Sequence, residues 1–469
     1  MNELIETLTT IVGKNHVLTG MDLDEYEQDW RRRARGKALC VVRPGSTQEV
    51  ALVVNACAVV GASIVPQGGN TGLVGGSIPN SSGTQVVMSL RRMTTVRSID
   101  PENMTITVEA GCVLQSVQEV VDSHGFLFPL SLGAEGSCTI GGNLASNAGG
   151  TQVLRYGNAR DLCLGVEVVT PQGDVWDGLS GLRKDNTGYD LRDLFVGSEG
   201  TLGVITAATM KLYPKPAAQL TAWAALASLE DANRLLGLAR RHLGSCLTGF
   251  EVMNRFALHL VDKHFPHLRV PMWREHAWCV LIEISDNESE AHARGLFEGL
   301  LEIAFERGLV ADAIIAESLK QMHDLWHIRE SITLAQTAEG FNVKHDISVP
   351  ISLIPEFVRE TDTALATAFP SLRFVNFGHM GDGNLHYNIQ VPEGCDAKEF
   401  VQTNEERIST IVYDTVSKYR GSISAEHGVG ELKLDKLVHY KSNVALNLMR
   451  AIKSSFDPRN TLNPGRVLK

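Results

Sequence analysis

The sequence predicts an α+β protein built from two domains. At 469 residues the chain is longer than one hydrophobic core usually supports. Its N-terminal half alternates strands and helices with long glycine-rich loops, and residues 217–424 alternate strands such as 278–284 with amphipathic helices such as 288–307. The two prolines of Leu212-Tyr-Pro-Lys-Pro mark the boundary between these regions.

The first elements lead into a glycine-rich loop. The pattern predicts a strand over 39–43, a helix over 47–60 and a strand over 63–66, followed by the loop 67–77 with five glycines in eleven residues. Backbone N–H groups in such a loop close readily around a pyrophosphate. The spacing fits neither the Rossmann fingerprint nor the P-loop. A flexible surface loop is the alternative.

A second glycine-rich region spans 133–150 and mixes glycines with short hydroxyl and amide side chains. This composition suits close wrapping of a large planar cofactor with hydrogen bonds to it. Strands are expected over 164–170 and 174–176, and the segment 190–195 leads into the turn 196–203. The N-terminal half is therefore interpreted as a nucleotide-binding domain.

Composition limits the class of partner and compartment. Acidic residues outnumber basic ones by 54 to 43, a net charge of -11, which argues against nucleic acid or an anionic membrane. The first residues lack the features of a secretory signal, and no apolar run is long enough to span a bilayer. The eight cysteines contain no Cys-x-x-Cys pair. We therefore expect reduced thiols and a cytoplasmic location.

The stretch 376–388 carries two histidines around a turn signal. Asp382-Gly383 predicts a two-residue turn that pairs His379 directly with His386. Two opposed imidazoles are close enough to share a metal ion, and Asn388 lies on the same strand face. A cross-strand histidine pair on a wet sheet face is the alternative.

A third metal ligand is available in Ser424-Ala-Glu-His-Gly-Val-Gly-Glu431. Glu426 offers a carboxylate, and the adjacent His427 offers an imidazole that stays off the metal and accepts a proton. Two histidines and a carboxylate with open positions form a Lewis-acid site suited to a hydroxyl or carboxylate oxygen. A solvated helix cap or loop is the alternative for Glu426 and His427.

Together these motifs carry a family resemblance over nearly the whole chain. The loop 66–77, the segment 133–157, the turn 197–203 and Leu462-Asn-Pro-Gly465 resemble the FAD-binding domain of the vanillyl-alcohol-oxidase, or PCMH-type, flavoproteins. The hairpin and Ala425-Glu-His-Gly428 are similar to the C-terminal part of FAD-linked oxidases of D-2-hydroxy acids, closest in arrangement to the D-2-hydroxyglutarate dehydrogenases.

The resemblance implies domains and cofactor contacts. It implies a PCMH-type FAD-binding domain over 1–216, a substrate-binding cap domain with an antiparallel sheet flanked by helices over 217–424, and a segment 425–469 that returns to the FAD domain. No histidine occupies the first loop, so FAD is expected without a covalent bond. The implied FAD contacts are Pro66, Gly68, Gly69, Asn70, Thr71, Gly72, Gly75, Gly76, Gly133, Thr139, Gly142, Asn143, Ser146, Asn147, Gly149, Gly150, Glu199, Gly203, Ile205 and Asn463.

The resemblance also implies the substrate site. Arg329, Thr333 and Lys344 match positions that bind the substrate carboxylate, with Asn388 and His427 beside them; Arg329 and Thr333 are four residues apart on one helix face. An ordinary ion pair for Arg329 and a surface role for Lys344 are the alternatives. Metal ligands are His379, His386 and Glu426, with zinc as the default and manganese or cobalt as alternatives.

The expected enzyme is an FAD- and metal-dependent D-2-hydroxy acid dehydrogenase, acting on D-2-hydroxyglutarate, with D-lactate or glycolate as the alternative. His427 is the expected base, and hydride passes to the flavin. The expected electron acceptor is an electron-transfer flavoprotein or a quinone, and a homodimer is one option for the assembly. A flavin-free metal-dependent hydrolase and a catalytically idle binding protein are alternatives of other classes.

Overall fold

The computed structural model describes residues 2–469, which divide into two compact units. The first unit comprises the residues up to Gly149, Gly157–Pro214 and Glu426–Lys469, and the second comprises Gly150–Tyr156 and Lys215–Ala425. The segment Gly150–Tyr156, predicted within 1–216, therefore groups with the second unit. Within residues 2–469 no helix is long and apolar enough to cross a membrane.

The first unit contains a small mixed sheet and a larger antiparallel one. The mixed sheet has the strand order Val17–Leu18, Ala38–Val42, Gln85–Ser89, Ile64–Gln67, and its last three strands are mutually parallel. The antiparallel sheet has the order Val96–Asp100, Thr105–Glu109, Val204–Lys211, Cys163–Val169, Val175–Gly178. Phe126–Leu127 pairs separately with Tyr213–Pro214.

Helices flank these sheets. The helix Thr47–Val60 has the bounds predicted from the sequence; Ser46 caps its start by accepting from the Glu49 N–H, and Gly61 ends it in the left-handed region at φ 70°. The segment predicted over 190–195 is a short helix, Arg192–Phe195. The other α-helices of this unit are Asn2–Val12, Asp24–Glu27, Leu114–Ser123, Ile140–Ser146, Ala159–Leu162, Leu434–Tyr440 and Asn443–Phe456, with 3₁₀ turns at Lys14–His16 and Gly20–Leu23.

The second unit is built on one antiparallel sheet. Its strand order is Asp312–Ile315, Ala218–Leu226, Trp278–Asp286, Leu247–Asn254, Arg373–His379, Asn384–Gln390, Asn342–Val343. Asp346–Ser348 pairs with Asn384–Gln390 beside Asn342–Val343, so these two short strands are separated by Lys344 and His345. Leu247–Asn254 lies in the interior of the sheet.

Helices cover this sheet. Five of them are each preceded by a Ser, Asn or Asp whose side chain accepts a backbone N–H of the first turn. These are Leu229–Leu243, Arg255–His264, Glu290–Glu306, Leu319–Glu339 and Ala397–Lys418. The remaining helices are Val153–Tyr156 and Ile354–Ala368, with 3₁₀ turns at Gly244–Cys246 and Ile351–Leu353. Buried apolar residues from Arg255–His264 and Leu319–Glu339 join Trp223, Leu281 and Phe377 of the sheet in one core.

Candidate functional site

The two glycine-rich regions of the first unit pack against each other. A Cβ on Gly69 would lie 2.0 Å from the carbonyl oxygen of Ser137, and a Cβ on Gly68 would lie 2.4 Å from Oγ1 of Thr139. Thr139 also caps the helix Ile140–Ser146 by accepting from the Gly142 N–H at 3.4 Å. Glycine is therefore needed at 69 because the Ser137 backbone approaches closely, and at 68 because the capping hydroxyl of Thr139 does.

Glu199 and Asn463 tie further loops of the first unit to this region. Both residues have left-handed backbones, with φ of 52° and 45°. The Asn463 amide donates to the carbonyls of Gly76 and Glu199 at 2.9 and 2.7 Å. The Glu199 carboxylate accepts the N–H groups of Val429 and Gly430 at 2.7 and 2.8 Å. Burial raises the pKa of Glu199, and these two N–H groups oppose that shift.

Polar atoms beside these loops fit a bound cofactor. Among residues 2–469, Asn143 Nδ2, Ser198 Oγ and Asn463 Oδ1 are buried without a hydrogen-bond partner. A Cβ on Gly72 or Gly133 would meet nothing within 4 Å. Buried polar groups are nearly always satisfied, so these atoms are suited to a ligand that supplies hydrogen-bond partners. The residues fit FAD.

The hairpin in the second unit has a different register from the predicted one. His386 pairs with Phe377, and His379 pairs with Glu251 of the preceding sheet strand. The predicted direct pairing of His379 with His386 is wrong because the connection spans residues 380–383 rather than two residues. The two imidazoles still meet, with ring centroids 5.4 Å apart, because a two-residue shift keeps both side chains on the same face.

A buried carboxylate that the sequence analysis missed lies beside His379. Glu251 Oε1 is 2.7 Å from His379 Nδ1, and Oε2 accepts from Arg329 Nε at 2.7 Å. Arg329 Nη2 lies 3.5 Å from His379 Nε2. Burial acts to raise the pKa of Glu251, but Arg329 and His379 outweigh it and bring the value to about 2. An acid within the apolar strand Leu247–Asn254 was the available signal.

The other predicted substrate residues lie on neighbouring elements. Thr333 is one helical turn beyond Arg329 and is exposed, and Lys344 is half-buried. Asn388 is buried: its Oδ1 accepts the His345 N–H at 3.0 Å, and its Nδ2 donates to Gln336 Oε1 at 3.0 Å. Asn388 thus links the Lys344 segment to the helix of Arg329. Its direct contact with substrate stays a prediction.

Glu426 is bonded to Ala425, the last residue of the second unit. The Ala425 N–H donates to the Asp346 carbonyl at 3.3 Å, and Asp346 pairs with His386 across two strands. Ligand atoms of His379, His386 and Glu426 all lie within 4.8 Å of one another. Asp346, Glu426 and His427 form a second group with that property. Either set has the donor atoms of a zinc site.

Comparison with known proteins identifies the family. The family described as "FAD linked oxidases, C-terminal domain" matches residues 215–467, and the "FAD binding domain" family matches residues 38–178. The chain belongs to the FAD-linked oxidases. The prediction of an FAD-dependent oxidoreductase is therefore confirmed, and the flavin-free hydrolase and the idle binding protein are set aside. The structure contains the predicted combination of a PCMH-type FAD-binding fold and an antiparallel sheet flanked by helices.

Relatives cover almost the whole chain. The mitochondrial D-2-hydroxyglutarate dehydrogenase of Arabidopsis thaliana is 38% identical over 98% of this chain and 80% of its own length. A putative mitochondrial D-lactate dehydrogenase of Schizosaccharomyces pombe is 36% identical over 98% of this chain and 89% of its own. A crystal structure of p-cresol methylhydroxylase with substrate bound shares the fold, with a TM-score of 0.76 and 16% identity over 99% of this chain and 96% of that one.

The predicted cytoplasmic location is contradicted. Both of these relatives are named as mitochondrial proteins. The prediction relied on thiols, and the cysteines are indeed free and mostly buried. Free thiols indicate a reducing environment, which does not specify one compartment.

Proposed function

We propose that this FAD-linked oxidase converts D-2-hydroxyglutarate to 2-oxoglutarate with the help of a divalent metal. The oxidation of D-2-hydroxy acids is the activity class named for its relatives, and that predicted class is confirmed. The choice of substrate, the metal and the roles of single residues are proposals.

The position of Arg329 beside His379 is the observation that most directly supports the proposal. A guanidinium nitrogen lies 3.5 Å from the ring nitrogen Nε2 of a proposed metal ligand. A 2-hydroxy acid presents a carboxylate and a hydroxyl on adjacent carbons. A cation next to a metal ligand suits such a pair, because the guanidinium would hold the carboxylate while a metal ion would polarise the hydroxyl.

His379, His386 and Glu426 would hold the metal, and their ligand atoms have the required mutual proximity. A divalent ion there would act as a Lewis acid that makes the substrate hydroxyl more acidic. Zinc is the first choice for two imidazoles and a carboxylate, and manganese or cobalt would also fit.

His427 is the proposed base. Oxidation removes a proton from the hydroxyl and a hydride from the carbon that carries it, and an imidazole accepts a proton readily near neutral pH. Arg329 and Lys344 would orient the two carboxylates of the substrate. FAD, held without a covalent bond, supplies the hydride acceptor. An electron-transfer flavoprotein or a quinone would reoxidise it.

D-Lactate is the second candidate, because one relative is named as a putative D-lactate dehydrogenase. The two substrates differ in the distal carboxylate, which lactate lacks. A cation that binds the distal carboxylate of 2-hydroxyglutarate would have no such carboxylate to bind when lactate occupies the site. Removing a charge from water without that partner costs free energy of binding.

Anaerobic mixing of the purified flavoprotein with D-2-hydroxyglutarate, D-lactate and glycolate tests the proposal. Loss of the oxidised-flavin absorbance should be fastest with D-2-hydroxyglutarate, and the L-enantiomer serves as the control. Steady-state rates with an artificial electron acceptor should follow the same order. Faster reduction by D-lactate at equal concentration would instead select the second candidate.

A further inference from the structure

We propose that Glu251 is a positioning residue that couples metal binding to recognition of the substrate carboxylate, because one buried side chain holds both His379 and Arg329. This inference rests on the proposed function, which assigns His379 to the metal and Arg329 to the substrate. It adds a residue that is neither a ligand of the metal nor a contact of the substrate.

The position of Glu251 is fixed by the sheet. Its strand, Leu247–Asn254, lies between Trp278–Asp286 and Arg373–His379, and Glu251 is the register partner of His379. The residue is 0% exposed. Each carboxylate oxygen has a charged or ring N–H donor at 2.7 Å, His379 on Oε1 and Arg329 on Oε2. These bonds are of the strong, charge-assisted kind.

The contact with His379 selects the tautomer of the imidazole. An ionised carboxylate only accepts hydrogen bonds, so Nδ1 of His379 carries a hydrogen. In the neutral ring the lone pair is then on Nε2, the atom that would bind a metal and that also lies 3.5 Å from Arg329 Nη2. A carboxylate behind a ligating histidine also increases the basicity of the ring, and loss of such a partner typically lowers metal affinity about 10–100-fold.

The contact with Arg329 introduces an opposing effect. The guanidinium is a cation 3.5 Å from Nε2 of His379, so it repels a divalent ion bound there. Glu251 balances that charge and holds the guanidinium by its Nε atom. Removal of Glu251 should therefore weaken metal binding, whereas removal of Arg329 should strengthen it.

A neighbouring acid provides a matched control. Glu283 is also buried in the sheet and is the register partner of Gly249, two residues from Glu251. Its carboxylate accepts from Trp326 Nε1 at 2.7 Å and from Thr248 Oγ1 at 3.2 Å. The Glu283→Gln substitution changes a buried acid in the same sheet while leaving the bonds of Glu251 in place.

The experiment measures zinc affinity in metal-stripped protein that retains FAD. Zinc is titrated against a chromophoric competitor at mildly alkaline pH, where histidines are neutral. Glu251→Gln should bind zinc about 10–100-fold more weakly than the unchanged protein. Arg329→Met should bind zinc more tightly than the unchanged protein. Glu283→Gln should bind zinc with the same affinity as the unchanged protein. The KM for D-2-hydroxyglutarate should rise in both Glu251→Gln and Arg329→Met.

The outcomes separate this inference from the proposed function. Zinc binding that survives His379→Ala would overturn the proposed metal site and this inference with it. Unchanged affinity in Glu251→Gln, where His379→Ala has lost the metal, would overturn only the role of Glu251. Equal weakening in Glu251→Gln and Arg329→Met would reveal a merely structural contribution and also overturn it. If Glu251→Gln fails to fold, Arg329→Met decides: tighter binding supports the coupling and weaker binding rejects it.

Discussion

At the residue scale, we expect one basic side chain to distinguish a dicarboxylate from a monocarboxylate substrate. Arg329 is already fixed beside His379, which suits the carboxylate next to the hydroxyl, so Lys344 is our choice for the distal carboxylate. A charged hydrogen bond of this kind contributes ~1.5–3 kcal/mol. Lys344→Met should lower kcat/KM for D-2-hydroxyglutarate by ~10-fold or more. The same variant should spare D-lactate oxidation, and equal losses on the two substrates would contradict the assignment.

His427 should matter for proton removal and not for cofactor retention. His427→Ala should slow flavin reduction by ~10²–10⁴-fold, the usual contribution of a general base. Bound FAD and metal content should remain near those of the unchanged protein. Rapid-mixing absorbance gives the rate, and metal analysis provides the control. Nearly normal flavin reduction would mean that another group accepts the proton. Loss of bound metal from the variant would instead indicate that His427 is a metal ligand together with Asp346 and Glu426.

At the scale of elements, the contact between the two glycine loops should control FAD binding. A Cβ at position 69 would lie 2.0 Å from the Ser137 carbonyl, so Gly69→Ala must displace backbone. We expect the free energy of unfolding to fall by ~1–3 kcal/mol and FAD to be lost during gel filtration. Gly295→Ala is the control, since a Cβ there meets nothing within 4 Å and alanine favours the helix Glu290–Glu306. Full FAD retention in Gly69→Ala would contradict this account.

An ion-pair cluster joins three elements of the second unit and makes its stability depend on pH. Glu339 ends the helix Leu319–Glu339 and accepts from Lys263, His264 and Arg373, each at 2.7 Å. Burial acts to raise the pKa of Glu339, but these three partners lower it from 4.5 to about 2. A depressed carboxylate pKa stabilises the fold above the unfolded value and loses that effect as pH falls toward 2.

Glu339→Gln should therefore lower stability at neutral pH by ~2 kcal/mol. The difference from the unchanged protein should shrink as pH falls from 4.5 to about 2, because both side chains are then uncharged. Thermal unfolding over a pH series measures it. Glu393→Gln is a suitable control, because that acid is exposed although it also contacts Arg373. A difference that stays constant with pH would exclude the ion pairs as its cause.

At the scale of the whole molecule, loss of the metal should not cause loss of FAD. His379 belongs to the second unit, whereas residues 67–77 and 133–149, Glu199 and Asn463 belong to the first. His379→Ala should abolish turnover and remove the metal while the flavin spectrum persists. Elemental analysis and absorbance of the same sample measure both cofactors. Metal content equal to that of the unchanged protein would show that His379 is not a ligand.

The sequence by itself determined the family and the main local elements. Glycines cluster where backbone or side-chain atoms of the other loop approach closely, and the glycine pattern itself is local, so loops 67–77 and 133–150 were recognisable. The helix Thr47–Val60 was predicted with its observed bounds, and Ser46 and Gly61 mark its ends in the structure. Cellular location was not determined, because thiol usage does not distinguish one reducing compartment from another.

Only the tertiary structure decided what surrounds His379. Sequence spacing predicted its pairing with His386, but the sheet pairs it with Glu251, which is 128 residues away. Such a partner is invisible to local patterns because strand neighbours in a sheet are chosen by long-range packing. The other carboxylate oxygen of Glu251 holds Arg329, which lies 78 residues further along the chain, beside the histidine. The chemistry of single residues could be predicted locally, whereas their mutual orientation required the assembled sheet.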